Sequence, residues 1–293
     1  MDWFLIAFIS ATLSAAAALA EKKSLFSLGA LEFSYVLSIV VLIFSLPFFL
    51  DISYSPITSE SLVILFVKTI LGTLAFFFVM LVIKNLEISE ALPLMILSPG
   101  FIAVFAYITI GDELTTKEVF GIILLLIGTY VLETSNRKNI FEPFLILFKS
   151  RNHLYVITAI LLFTITSILD RILVTDLKMS PFSFIAFQHL FLALNFTIIF
   201  LVVKRGLKFK LIAGLKGNQI WLWIILTAVL TVGYRYSQVE AIKLAPVALV
   251  LSVKRISVFF STMIGGKIFK EKNLIRKAAA TAIMVAGSIM LVG

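Results

Sequence analysis

The sequence predicts an all-α integral membrane protein of ten transmembrane helices, arranged as two inverted five-helix repeats around a central cavity. Three observations point there. Hydrophobic residues make up 61% of the 293 and charged residues only 14%, with a mean hydropathy of +1.11, outside the range of a soluble domain of this length. Apolar windows long enough to cross a hydrocarbon core of about 30 Å recur along the whole chain. The second half repeats the pattern of the first.

The ten windows lie near 3–20, 33–50, 62–83, 91–110, 119–132, 154–174, 181–203, 220–238, 245–264 and 278–292. They are continuously apolar rather than alternating, so helices and not barrel strands satisfy their backbone in lipid. The first window ends in "SAAAALA", which resembles a signal-peptide cleavage region, but only Met1 and Asp2 precede it. Without a basic n-region it reads as a retained helix. The segment "NIFEPFLILFKS" at 139–150 is too short to span and suits the membrane interface.

Orientation follows from charge. With ten spans, the loops after the odd-numbered helices hold about 17 of the 25 Lys and Arg. The positive-inside rule puts those loops in the cytoplasm and both termini outside, in a multi-pass protein of the cell membrane. The formal charge of +9 is therefore matched to anionic lipid headgroups, and nucleic acid is not an expected partner.

The repeat is visible when the halves are overlaid. "LAEKKSL" at 19–25 resembles "ILDRILV" at 168–174, with Glu21 and Lys22 opposite Asp170 and Arg171. "VIKNLEISEALPLMILSP" resembles "AIKLAPVALVLSVKR", and "GIILLLIGTYVL" resembles "AATAIMVAGSIML" with Gly128 opposite Gly287. Five helices per copy is an odd number, so the copies insert with opposite orientation and a substrate site is expected near the midplane between them. The division is residues 1–134, a cytoplasmic or interfacial linker at 135–152, and residues 153–293.

Composition also excludes functions. The chain has no cysteine, and its two histidines, His153 and His189, are far apart, so no thiolate or clustered-imidazole metal centre is expected. No "GxxxxGK[ST]" phosphate loop occurs, which argues against ATP hydrolysis. No His, Asp or Glu cluster sits at mid-span, as an intramembrane enzyme would need. No enzyme activity and no cofactor are expected.

The informative residues are charges within the spans. Lys68, Arg235, Lys254 and Arg255 sit where a charge costs about 2.5–3.5 kcal/mol on insertion scales, so each should face a cavity or a partner. Lys254, Ser257 and Ser261 share one helical face, with Ser252, Arg255 and Thr262 beside it; Thr227, Thr231 and Arg235 form a similar stripe bordered by Tyr234 and Gln238. An excess of fixed positive charge favours an anionic ligand, Arg giving bidentate geometry and Lys a point charge. The rival reading is that these cations pair internally with Asp170 or Glu240 and only hold helices together. Glu21, Asp170 and Arg171 are candidates for a gating or inter-repeat role. Ser10, Ser14 and Ala18, and likewise Gly121 and Gly128, have the spacing of close helix packing, while Pro93, Pro99 with Gly100, and Pro246 mark kinks or freed carbonyls.

Residues 88–132, "ISEALPLMILSPGFIAVFAYITIGDELTTKEVFGIILLLIGTYVL", resemble the EamA type of the drug/metabolite transporter superfamily. In that pattern the fourth helix of each copy has an Ala-rich start and runs to a Gly-Glu or Gly-Asp-Glu turn, followed by a Gly-containing fifth helix. Gly111, Asp112, Glu113, Gly121 and Gly128 carry the first-half likeness, and "IFKEK" around Glu271 with Gly287 carries the second. The resemblance implies a basket of ten helices around a central cavity. Many members are described with both termini in the cytoplasm, the reverse of what these loop charges predict. The adjacent Lys254 and Arg255 resemble the pair that contacts substrate phosphate in the sugar-phosphate and triose-phosphate branch, which would make them anion ligands.

The expected function is a secondary transporter of a small polar, anionic metabolite by alternating access. Lys254, Arg255, Arg235 and Lys68 would bind the anion, with Tyr234, Gln238 and Ser257 shaping the site. Partners would be a small-molecule substrate, the lipid bilayer and a coupling ion, in a monomer or homodimer. The alternatives are an amino-acid or drug exporter and a flippase for lipid-linked sugars.

Overall fold

The computed structural model describes residues 2–52, 57–98, 115–133, 150–203, 218–245 and 247–291. Within these, the first half contributes α1 (Trp3–Leu25), α2 (Ala30–Ser45, extended by a 3₁₀ turn over Leu46–Asp51), α3 (Ser59–Asn85), α4 (Ile88–Leu94, followed by a 3₁₀ turn over Met95–Leu97) and α5 (Thr116–Glu133). The second contributes α6 (Arg151–Arg171), α7 (Pro181–Val203), α8 (Asn218–Leu244), α9 (Val247–Phe260) and α10 (Leu274–Met290). A π-turn over Ile172–Asp176 follows α6, and another over Ser261–Gly265 follows α9.

Seven of these helical stretches are long and apolar enough to cross a membrane: those of α1, α2, α3, α6, α7, α8 and α9. The apolar α5 and α10 are 18 and 17 residues long. Gly111, Asp112 and Glu113, Pro99 with Gly100, Pro246, and 139–149 of the expected interfacial segment lie outside the described residues.

Polar side chains cap some of the helix starts. Asp2 accepts from the Phe4 amide at α1, and Thr58 and Ser61 form a reciprocal capping box at α3.

Packing follows the repeat. α1 lies along α8 and α3 along α6; α2 packs on α7 and α8, α3 on α7, and α5 on α10. Exchanging each first-half helix with its second-half counterpart converts α1–α8 into α6–α3 and α2–α8 into α7–α3, and returns α2–α7 and α5–α10 to themselves. That is the contact pattern of two inverted five-helix repeats related by a pseudo-twofold axis.

The α5–α10 contact is made by backbone. A Cβ on Gly121 would stand 2.8 Å from the Gly287 carbonyl oxygen, one on Gly287 2.7 Å from that of Gly121, and one on Gly128 3.0 Å from that of Ala280. Any side chain there would force the helices apart, which is the packing role the glycine spacing predicts. The equivalence read from the sequence maps the Gly121–Gly287 contact onto Gly128–Ala280.

Candidate functional site

Between the halves is a cavity of about 310 Å³ whose wall includes residues of α1, α2, α3, α4, α6, α7, α8 and α9. All seven residues expected to bind substrate line it: Lys68, Tyr234, Arg235, Gln238, Lys254, Arg255 and Ser257. Ser261 joins Lys254 and Ser257 on the wall, as the helical stripe predicts.

The gating candidates separate. Asp170 lines the cavity, and Arg171 is exposed and does not. Glu21 is buried on α1 behind the wall, within electrostatic range of Lys254.

Two groups of cations differ in their partners. Lys68 Nζ, only 4% exposed, lies 2.7 Å from Asp170 Oδ1, and Arg235 reaches Asp170 Oδ2 at 3.4 Å. Both also donate to Gln188 Oε1, at 2.5 Å from Lys68 and 2.7 Å from Arg235. The Lys68–Asp170 pair joins α3 of one half to α6 of the other.

Lys254 instead donates to Gln238 Oε1 at 2.5 Å and sits 4.7 Å from the Tyr234 ring centre. Arg255 donates to Ser98, and its Nε has no hydrogen-bond partner among the described residues. Among those residues neither Lys254 nor Arg255 forms an ion pair. Glu240, a proposed partner, accepts from the Tyr236 hydroxyl at 3.1 Å. Asp170 therefore serves Lys68 and Arg235, which leaves Lys254 and Arg255 to neutral groups.

Sequence reasoning passed over Gln188, His189 and Ser98. His189 Nδ1 and Ser45 Oγ are 2.6 Å apart, joining α7 to α2. The available signal was "QH" in the middle of the apolar 181–203 run, with Asn195 two turns later bonding Thr73 Oγ1 at 3.2 Å. Of the small-residue stripe on α1, Ser10 is a packing residue that donates to the Tyr234 carbonyl at 2.7 Å, while Ser14 and Ala18 face the cavity.

The two ends of the cavity are closed by different chemistry. At one end, Glu271 accepts from the Ile88 amide at 2.7 Å, the Ser89 amide at 3.0 Å and the Ser89 hydroxyl, so it caps the start of α4 from the other half. Its own loop is a tight turn, with Lys270 and Asn273 both in left-handed backbone at φ 55° and 53°. Beside it Lys277 pairs with Glu87, and Lys22 donates to the Ile83 and Leu86 carbonyls at 2.6 Å each. At the other end Leu173, Ile185, Val239 and Ile242 are buried together. There the rings of Phe48, Phe182 and Tyr236 meet pairwise at 5.5–5.7 Å.

No curated protein matches the sequence. A solved crystal structure of a protein, 14% identical in sequence, superposes with a TM-score of 0.65 over 98% of this chain and 95% of its own, a likeness of fold alone. The sequence matches the EamA-like transporter family over residues 1–134 and again over 151–293. With two family matches covering nearly all of the chain, this multi-pass membrane protein belongs to the EamA-like transporter family.

Proposed function

We propose that the protein is a secondary transporter of a small polar, anionic metabolite, working by alternating access as one five-helix half rocks against the other. The observation that carries the reading is the charge of the cavity wall. Among the described residues, Lys68, Arg235, Lys254 and Arg255 face it against one lining carboxylate, Asp170, with Glu21 behind. Fixed charges held in a poorly hydrated cleft act with little screening, so an anion entering it gains more than it would at a surface.

In this reading the four cations together bind the anion, and neutral groups already hydrogen-bond Lys254 and Arg255 without cancelling their charge. Tyr234, Gln238 and Ser257 shape the site, and the Lys68–Asp170 pair ties the two halves across the substrate path. The loop charges put the Glu271 end toward the cytoplasm and both termini outside.

Ligand-induced thermal stabilisation of the purified protein tests this, with sugar phosphates, carboxylates, amino acids and cationic drugs offered to wild type and Lys254→Gln. A ligand at a hundred times its Kd stabilises by about 2.7 kcal/mol. Anions should raise the Tm of wild type and not of the variant. Stabilisation by neutral or cationic compounds that survives Lys254→Gln replaces this reading with an exporter in which the cations are structural.

A further inference from the structure

Three of the cavity cations, Lys68, Arg235 and Lys254, are linked by two glutamine carbonyls that share one guanidinium. Gln188 Oε1 accepts from Arg235 Nη2 at 2.7 Å and from Lys68 Nζ at 2.5 Å. Gln238 Oε1 accepts from Arg235 Nη1 at 3.2 Å and from Lys254 Nζ at 2.5 Å. Lys and Arg have no acceptor, so each amide must turn its oxygen to them. The two oxygens thus accept from both terminal nitrogens of the Arg235 guanidinium, the pair that presents a fork to two oxygens of one carboxylate or phosphate. A lysine donates to each oxygen as well.

We infer that the carbonyl oxygens of Gln188 and Gln238 stand in for two oxygens of the substrate's oxyanion, which displaces both amides and takes Arg235, Lys68 and Lys254 as its ligands. The inference rests on the anionic reading above and specifies how that anion is held. Amides suit the part because they hydrogen-bond desolvated cations without neutralising them, and a neutral acceptor yields to a charged one. A carboxylate at the same place would both bond and neutralise the cations and would not yield. Asp170 is no such stand-in: its closer contact is to Lys68, and it only reaches the Arg235 fork at 3.4 Å.

An interaction present only in the empty state opposes binding, so its removal tightens binding. The experiment is a calorimetric titration of purified protein with inorganic phosphate and, in a parallel arm, dihexanoyl phosphatidic acid, on wild type, Gln188→Met, Gln238→Met and Gln188→Glu. Gln188→Met and Gln238→Met should each bind about tenfold more tightly than wild type, the scale of one hydrogen bond to a charged group. Gln188→Glu should fold with a raised Tm and lose binding. Should Gln188→Met not fold, Gln238→Met and Gln188→Glu carry the same test. Weaker binding in the Met variants, with wild type binding normally, overturns this inference alone, because the amides then contact the anion or position the cations. Wild-type binding in Gln188→Glu overturns it too. Absence of binding in all four proteins and both arms overturns the anionic reading with it. Binding of the lipid alone, tightened by the Met variants, upholds the displacement and identifies a lipid headgroup as the source of the oxyanion.

Discussion

The two ends of the cavity show how one repeated fold can be shut in two ways. Lining residues stop about one helical turn short of each closure: at Ala18, Val79, Leu92 and Ser261 on one side, and at Lys68, Asp170, Gln188 and Gln238 on the other. Beyond the first set is the cluster of Glu271, Lys277, Glu87 and Lys22; beyond the second are aliphatic side chains and three packed rings. Charge-assisted bonds are few, directional and replaceable by water. Dispersion contacts are many, individually small, and lost only by separating whole surfaces. The polar end can therefore open by exchanging a handful of bonds, and the apolar end must unpack.

The contrast can be broken at its strongest point first. Glu271→Ala removes three hydrogen bonds that cross between the halves, and should destabilise the protein by about 3 kcal/mol or more in thermal unfolding. The same change should open that end. The chain has no cysteine, so Ser34→Cys, on the cavity wall, gives a single thiol. Its modification by a charged thiosulfonate should speed up at least about tenfold in the Glu271→Ala background, the factor for 1.4 kcal/mol of opening. Unchanged labelling would mean that Glu271 does not hold the end closed.

Leu173→Ala is the matching test at the apolar end. Leu173 is wholly buried, and its loss should cost about 2 kcal/mol, with the same value in 0.1 and 1 M NaCl. A salt-dependent cost there would erase the distinction between the ends. The smallest effect is expected of Lys277→Gln: its partner Glu87 has a side chain 40% exposed, so the pair should contribute only about 0.5 kcal/mol. That contribution should vanish at 1 M NaCl, and a loss of several kcal/mol would instead make the pair part of a buried network.

The fold was legible because bilayer-spanning runs announce themselves by length and hydropathy, and an odd number per repeat dictates inversion. The cations of the wall were legible for the same reason: Lys254 and Arg255 interrupt an apolar run that gives them no cheap alternative to a cavity. Partners were not legible. The sequence places Lys68 at the cavity as an anion ligand and does not show that it pairs with Asp170 from the other half. Gln188 and His189 carry no charge, and a neutral polar residue in an apolar window raises no alarm until its neighbours from α2, α3 and α8 are known. Glu271 was noticed only as part of a weak motif, because the amides it caps are 183 and 182 residues away. Periodicity reports which face of a helix is wet, and says nothing about which distant helix that face meets.

The glycine contact between α5 and α10 has one more consequence. Exchange of the two halves maps the Gly121–Gly287 contact onto Gly128–Ala280, so the pseudo-twofold axis passes between these two contacts, where the α5 and α10 main chains run close together. Points near such an axis travel least when two bodies tilt against each other, as the hub of a wheel travels less than its rim. In the rocking motion proposed above, the bare α5–α10 crossing would serve as the bearing, and the cation-lined wall, to which neither helix contributes a described residue, would take the stroke.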